Sequence, residues 1–501
     1  MSEASRKSYN TMSDLRKSIS AILSGRMIVR ISGVVFTPLL VRILTKSQFG
    51  TYGVILSLFT VVTVVSQIGL PSAIRKHVAG FTGQNSKQST LLFGGTGLAL
   101  LYGLGVGIIV LFVMNLSWVH SQEYEKYLIV LAVAVILRNI FDSFRAGFYG
   151  RQQEAIAEKL DIARRLVYIT SALVLAVLGF GVLGVFVGYT LAYFVMIPAV
   201  VYLVHKEFGL TSLTERTELS NLSGRLVRYG ALQAVGGIAA LMLYKTDILL
   251  INYFRSATET AAYQAALFPA ELIWFVPAAI QGAMLQNVAR HWSSRNIDAI
   301  NADLDSSMRY AVLSLILFGV GLLGLSKEFL TIYFGPEYST SVFPLQILII
   351  GTFFYGINRV IVPVLQATGR LRYNETVTVS ALVLNIILNV ILIPRFGITG
   401  AAIGTGISYT SVVVGSLLIL HYTEFRLLRR ETAIQLGATL LIFAVPYLTL
   451  TTWINLSPFI SLIVFPPIGA VLFSSACLVT GIVDIEFVKK RANKLVPIGP
   501  T

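Results

Sequence analysis

IPRFGITGAAIGTGISY, residues 393–409, places four glycines within ten positions of an otherwise apolar run. Inside a soluble helix each glycine costs roughly 1 kcal/mol relative to alanine, so such a run needs a physical reason. The same pattern stands earlier in the chain. Phe180, Gly181, Gly184, Gly188 and Tyr193 match Phe396, Gly397, Gly400, Gly404 and Tyr409 at a constant offset of 216. Other pairs keep nearly that spacing: Gly150-Arg151 with Gly369-Arg370 at 219, and Tyr52 with Tyr263 at 211. A fixed internal period of this kind marks duplication of a structural unit. The glycines four apart also have a plainer use, because small residues at that spacing let membrane helices pack closely. On that reading they only pack spans 6 and 12 within their own halves.

Of the 501 residues, 55% are hydrophobic and 13% charged, where soluble domains carry about 25% charged residues. Apolar runs follow one another from residue 22 to residue 482 with short polar breaks, which predicts an all-α polytopic membrane protein of about fourteen transmembrane helices. The period divides these into a cytoplasmic tail 1–21, an N-lobe 22–204 (spans 1–6), a linker 205–228 and a C-lobe 229–422 (spans 7–12). Two further spans at 432–482 lie outside the repeat, and residues 483–501 form a second cytoplasmic tail. Because six is even, the two six-helix lobes are parallel, related by an axis along the membrane normal, with a central cavity between them.

The charges test this threading, because cytoplasmic loops are enriched in Lys and Arg. With both termini inside, the inner segments hold 28 Lys and Arg and the outer loops six. The net charge of +15 is therefore topology and attraction to the inner leaflet, and no nucleic-acid partner is expected. The basic first 20 residues lead into a full-length span, so no removable signal peptide is expected. Cys477 is the single cysteine, which excludes an internal disulfide and CxxC chemistry. No Walker, Ser-His-Asp, metal-ligand or dinucleotide pattern occurs. Neither a catalytic residue nor a metal site or cofactor is expected, and direct ATP drive is not indicated. A membrane glycosyltransferase or polymerase would need a larger outer loop than those around 118–126 and 326–341.

Ionisable residues inside a bilayer are costly and face a bundle interior or a wet cavity, so each is a candidate. Arg26 and Arg30 share one face of span 1, continued by Gly33 and Thr37. Arg30 lies roughly 12 Å in from Ile22, and Arg26 about half as deep, within snorkelling reach of the interface. Arg138 and Asp142 lie four apart in span 4, which suits an intrahelical ion pair as well as a ligand site. Lys245 and Asp247 fall near the outer end of span 7 and, two apart, do not face each other; Asp247 fits a cap or gate as well as a ligand contact. Glu271 lies between Pro269 and Pro277 in span 8, where a carboxylate suits a coupling cation or proton, or an arginine partner. Arg359 stands beside Asn358 in span 10. The set holds five cations against three anions, a balance that favours an anionic substrate over a cationic drug.

With the repeat in view, the chain resembles the polysaccharide-transporter family of Wzx-like oligosaccharide flippases, within the multidrug/oligosaccharidyl-lipid/polysaccharide exporter superfamily. The stretches that carry the likeness are PLLVRILTKSQFGTYG (38–53), QIGLPSAIRKHVAG (67–80), DILLINYFRSATETAAYQAA (247–266), FGPEYSTSVFPLQIL (334–348), LQATGR (365–370) and NVILIPRFGITGAA (389–402). The resemblance implies a V-shaped, MATE-like pair of lobes and alternating access. It also implies a substrate that is an oligosaccharide on a polyprenyl phosphate or diphosphate, turned from the cytoplasmic to the outer leaflet for cell-surface glycan assembly. Arg30, Arg26, Arg138 and Arg359 would then meet phosphates or acidic sugars, and Glu271, Asp247, Asp142 and Lys245 would couple or gate. Expected partners are that substrate, membrane lipids and polysaccharide-assembly enzymes, at a prokaryotic cell membrane, with Na+ or H+ as coupling ion. The rival readings are a cation-coupled multidrug exporter and a peptidoglycan-precursor flippase.

Overall fold

The computed structural model describes residues 32–81, 83–113, 124–209 and 237–483. All regular structure among them is helical, and the chain forms two compact units that divide between Met242 and Leu243. The larger part of the expected linker, 210–228, lies outside the described residues. Unit 1 contains α1 (Ser32–Ile43), α2 (Lys46–Gln67), α3 (Leu70–Gly80), α4 (Asn85–Val113), α5 (Glu125–Gly150), α6 (Glu154–Leu175) and α7 (Gly181–Phe208). The division falls within α8 (Gly237–Phe254). Unit 2 continues with α9 (Ala257–Leu272), α10 (Phe275–Ser293), α11 (Ile297–Gly324), α12 (Ser326–Tyr333), α13 (Val342–Ala367), α14 (Leu371–His421), α15 (Arg430–Trp453) and α16 (Pro458–Val479).

Among the described residues ten helices are long and apolar enough to cross a membrane, or eleven with the pair α9–α10, bent by 51°. The sequence-based number of fourteen is larger for reasons visible in the chain. Two of the ten runs, Glu154–Phe208 and Leu371–His421, are 55 and 51 residues long, whereas about 20 residues suffice for one crossing. The first expected span falls partly outside the described residues.

Both long runs fold back at the glycine that opens the repeated motif. Gly181 has φ 52° and ψ −133°, and Gly397 has φ 57° and ψ −136°. That region is essentially closed to residues with a Cβ, so the 216-residue period is the repetition of one sharp turn. The limbs then run antiparallel. A Cβ on Gly184 would stand 2.9 Å from the Leu175 backbone, and one on Gly188 would stand 2.6 Å from that of Ala172. In the second copy Gly400 lies against the Leu392 carbonyl, and a Cβ on Gly404 would come within 2.8 Å of Asn389 Oδ1. The close-packing reading of these glycines therefore holds within each half, while Gly181 and Gly397 make the turn.

The outer edge of the turn is braced alike in both units. Thr45 caps α2, with Gln48 closing the box, and Ser256 caps α9, accepting from the Glu259 N–H at 3.2 Å. Gln48 is the side chain nearest a Cβ on Gly181, and Glu259 is the one nearest a Cβ on Gly397. At the other end of each unit the Gly-Arg pair closes α5 or α13. Arg151 lies 3.8 Å over the Phe208 ring and bonds the Glu207 carbonyl, while Arg370 lies 5.4 Å over Phe425 and pairs with Glu424 at 3.3 Å. Burial in this nest pushes the Arg151 guanidinium below its ordinary value, against the pull of Glu207.

Ile74, Leu92, Phe141, Phe148, Val200 and Phe208 join α3, α4, α5 and α7 in the core of unit 1. In unit 2, α15 and α16 pack on α11, with Tyr447 wedged between Gly324 and Gly469. Large apolar side chains face outward elsewhere, among them Phe112 and Val479, each 74% exposed. In water such a surface would aggregate; in a bilayer it is solvated by lipid.

Candidate functional site

In unit 1, α2, α5, α6 and α7 bring charge and phenol together. Arg138 pairs with Asp142 at 3.3 Å, donates to the Tyr189 hydroxyl at 3.2 Å and lies 5.6 Å from the Phe59 ring centroid. Asp142 also accepts from Gln67 Nε2 at 2.9 Å. The intrahelical ion pair is thus real and is held from two neighbouring helices. Arg145 and Arg164 share Asp161 at 2.8 and 2.7 Å, and the Arg164 guanidinium stands 4.8 Å from the Tyr193 ring. The hydroxyls of Tyr193 and Tyr189 meet at 3.0 Å, which carries the network back to Arg138. Arg165 donates to Ser32 Oγ at 3.2 Å and lies 5.2 Å from the Tyr168 ring. Four guanidiniums therefore stand against two aspartates in this cluster.

Arg26 and Arg30 lie outside the described residues. Gly33, in the first turn of α1, points at Arg165: a Cβ there would stand 3.4 Å from its NH2. Sequence reasoning missed Asp161, Arg164 and Arg165, because the charges from Glu154 onward read as a cytoplasmic loop and the span was begun at residue 166. The usable signal was Asp161 three and four residues before Arg164 and Arg165, in step with buried Ala157 and Leu160.

Unit 2 separates its charges into two sites. At the first, Arg359 donates to Gln281 Oε1 at 3.1 Å and lies 4.7 Å from the Trp274 ring and 5.9 Å from that of Tyr355. Its Nε is buried without a partner. Glu271, in the last turn of α9 before the bend, feels the charges of Lys245 and Arg359. At the second, Asp247 is 1% exposed and accepts from the Tyr263 hydroxyl and the Asn389 amide, each at 2.6 Å, and from Thr405. Asn385 bonds Asn389 at 3.1 Å. Lys245 and Asp247, two apart, make no ion pair with each other, and the charges of both reach Glu271.

Among the described residues no cation pairs with Asp247 and no cluster of three His, Cys, Asp or Glu exists. Its neighbours donate to it through two hydroxyls and the Asn389 Nδ2, while Asn389 Oδ1 is buried with no hydrogen-bond partner among the described residues. With the hydroxyls and amides turned, one carboxylate with amide and hydroxyl oxygens would suit a hard cation. The signal for it was two asparagines four apart in an apolar span, uncharged and so passed over.

Comparison with known proteins agrees with this architecture. The MatE family model matches residues 234–391. The chain is 25% identical over 387 residues to the probable low-salt glycan biosynthesis flippase Agl15 of Haloferax volcanii, covering 76% of this chain and 77% of that protein. It is 21% identical to a putative O-antigen transporter of Shigella flexneri, with 76% and 90% covered. Among solved structures, lipid II flippase MurJ in an inward closed conformation superposes with a TM-score of 0.70 at 14% identity, over 92% of this chain and 98% of that one. An inward-facing MATE multidrug transporter gives 0.64 at 14% identity, over 84% and 98%. The polysaccharide biosynthesis protein model matches residues 15–285, more than half of the chain, and the chain belongs to that family.

Proposed function

We propose that this protein is a flippase for a lipid-linked oligosaccharide, moving a headgroup on polyprenyl phosphate or diphosphate from the cytoplasmic to the outer leaflet for cell-surface glycan assembly. Both termini are cytoplasmic on this reading, the membrane is a prokaryotic cell membrane, and the two units alternate in access. The observation that carries it is the cation excess inside unit 1, where Arg138, Arg145, Arg164 and Arg165 stand against Asp142 and Asp161. Guanidinium stays charged and matches phosphate geometry, and aromatic rings hold it in a low-dielectric setting. Family membership and the flippase names among the relatives point the same way.

Asp247 is the coupling group in this scheme. Asp247, Asn385, Asn389 and Thr405 would hold Na+, or Asp247 a proton, and the ion would supply the drive for the return step. Glycan-assembly enzymes are the expected partners. Deleting the gene and following the lipid-linked oligosaccharide tests the reading: it accumulates on the inner leaflet if the reading holds. The MatE match and the acid of unit 2 favour a second reading, a cation-coupled drug exporter. Unchanged glycolipid with new sensitivity to cationic drugs would select it.

A further inference from the structure

α2 and α3 are one broken helix. Ile68 and Gly69 both take positive φ, 41° and 68°, and α3 restarts with Pro71 in its first turn and no side-chain cap. Against this break lies the inner end of α5. Between them opens a cavity of about 200 Å³ lined by Gln67, Ser72, Arg75, Asp142, Arg145 and Tyr149.

The guanidinium of Arg75 stands 5.1 Å from the Tyr149 ring centroid and that of Arg145 5.8 Å, so one phenol ring gathers two like charges. Their compensation is incomplete. Arg75 meets no carboxylate among the described residues, and Arg145 shares Asp161 with Arg164 and also feels Asp142, which Arg138 holds. Asp142 is engaged by Arg138 and Gln67, and Glu158 by the Tyr149 hydroxyl at 2.6 Å. An anion with several oxygens placed between the two forks would relieve their repulsion and use donors that have no partner.

Depth narrows the kind of anion. Arg145 lies five residues before the end of α5, roughly 8 Å along the axis. With that end at the cytoplasmic surface, this is the inner limit of the polar regions, which occupy about 5–8 Å on each side of a bilayer. It is shallower than the expected position of Arg30. We propose that this cavity receives the phosphate or diphosphate joining glycan to lipid, on the cytoplasmic side, before translocation begins. The assignment rests on the flippase reading for the identity of the substrate; the anion chemistry rests on the cavity alone.

The full chain in phosphatidylcholine nanodiscs, titrated with a radiolabelled polyprenyl diphosphate, tests it. The expected result is saturable binding that inorganic pyrophosphate displaces and phosphatidylglycerol does not. Arg75→Gln should weaken it about tenfold or more, and Arg75→Lys less, because a point charge replaces a fork. Arg145→Gln should weaken it as well, though its ion pair also serves the fold; Arg75 is exposed and tests the site without that burden. Arg372→Gln, an exposed arginine elsewhere, should bind as the parent does. Parental affinity in Arg75→Gln overturns the proposal, as does displacement by phosphatidylglycerol equal to that by pyrophosphate. A parent that binds polyprenyl diphosphate while the deletion strain still flips its glycolipid would sink the flippase reading and leave the cavity standing. Normal flipping by a chain whose binding ignores Arg75 would do the reverse.

Discussion

The two units repeat a scaffold and diverge in chemistry, and one pair of positions shows how. Tyr189 and Thr405 each follow the second packing glycine of the motif, 216 residues apart. In unit 1 the Tyr189 hydroxyl accepts from the Arg138 guanidinium; in unit 2 the Thr405 hydroxyl donates to the Asp247 carboxylate. Tyr52 and Tyr263 differ similarly: the first stacks among Phe49 and Phe186, and the second donates to Asp247. The same backbone thus presents a cation lined by phenols on one side of the duplication and, on the other, an acid that pairs with no cation among the described residues. Glycines kept in both copies report how each unit is built. Positions that changed report what each unit is used for.

Changes to the shared scaffold should damage both units, and by most. Gly188→Leu would drive a side chain into the Ala172 backbone, where a Cβ already comes to 2.6 Å; loss of folded, monodisperse protein in detergent is expected. Gly404→Leu meets a side-chain oxygen first and should be milder, measured as a fall in melting temperature. Gly397→Ala should cost about 1–3 kcal/mol from backbone strain alone. Equal tolerance of Gly397→Ala and of an exposed Gly437→Ala would break the claim that the two turns are one device.

Changes to the chemistry should instead separate the units. Asp247→Asn keeps a hydrogen-bonding side chain in the pocket, so the fold should hold. Ion-driven transport in proteoliposomes should fall by about tenfold or more and lose its dependence on Na+ or pH. Retention of that dependence would move the coupling site elsewhere, with Glu271 next in line. Arg138→Gln leaves Asp142 with the Gln67 hydrogen bond and the more distant charge of Arg145 and should destabilise by about 1–3 kcal/mol. Adding Asp142→Asn should restore part of this, and a double-mutant cycle reads the remainder as coupling. The smallest effect is expected at the Gly-Arg clamps, about 0.5–2 kcal/mol on unfolding for Arg151→Ala. Arg370→Ala should cost less, because its ring lies farther away.

The fold was legible because its decisive signal was periodic. Turn glycines, Gly-Arg pairs and tyrosines recur in order, and the apolar runs mark an all-helical membrane protein. The duplicated caps were equally readable, since Thr45-x-x-Gln48 and Ser256-x-x-Glu259 share the 211-residue offset of the tyrosines, but they were not used. The sites were half legible. A charge in an apolar run announces itself, so Arg138, Asp142, Asp247, Glu271 and Arg359 stood out. Their partners did not, for two physical reasons. Asn385, Asn389, Gln67 and Gln281 carry no charge and barely dent hydropathy. Asp161, Arg164 and Arg165 sit near the middle of α6, where polar and apolar stretches blend and a window of fixed length chooses the wrong side.

The glycine turns also constrain how the chain reaches its membrane. Only a few residues at the bend separate the limbs of Glu154–Phe208, and the same holds for Leu371–His421. The limbs of each pair are therefore neighbours in sequence as well as in space, and each pair is expected to enter the bilayer as one hairpin.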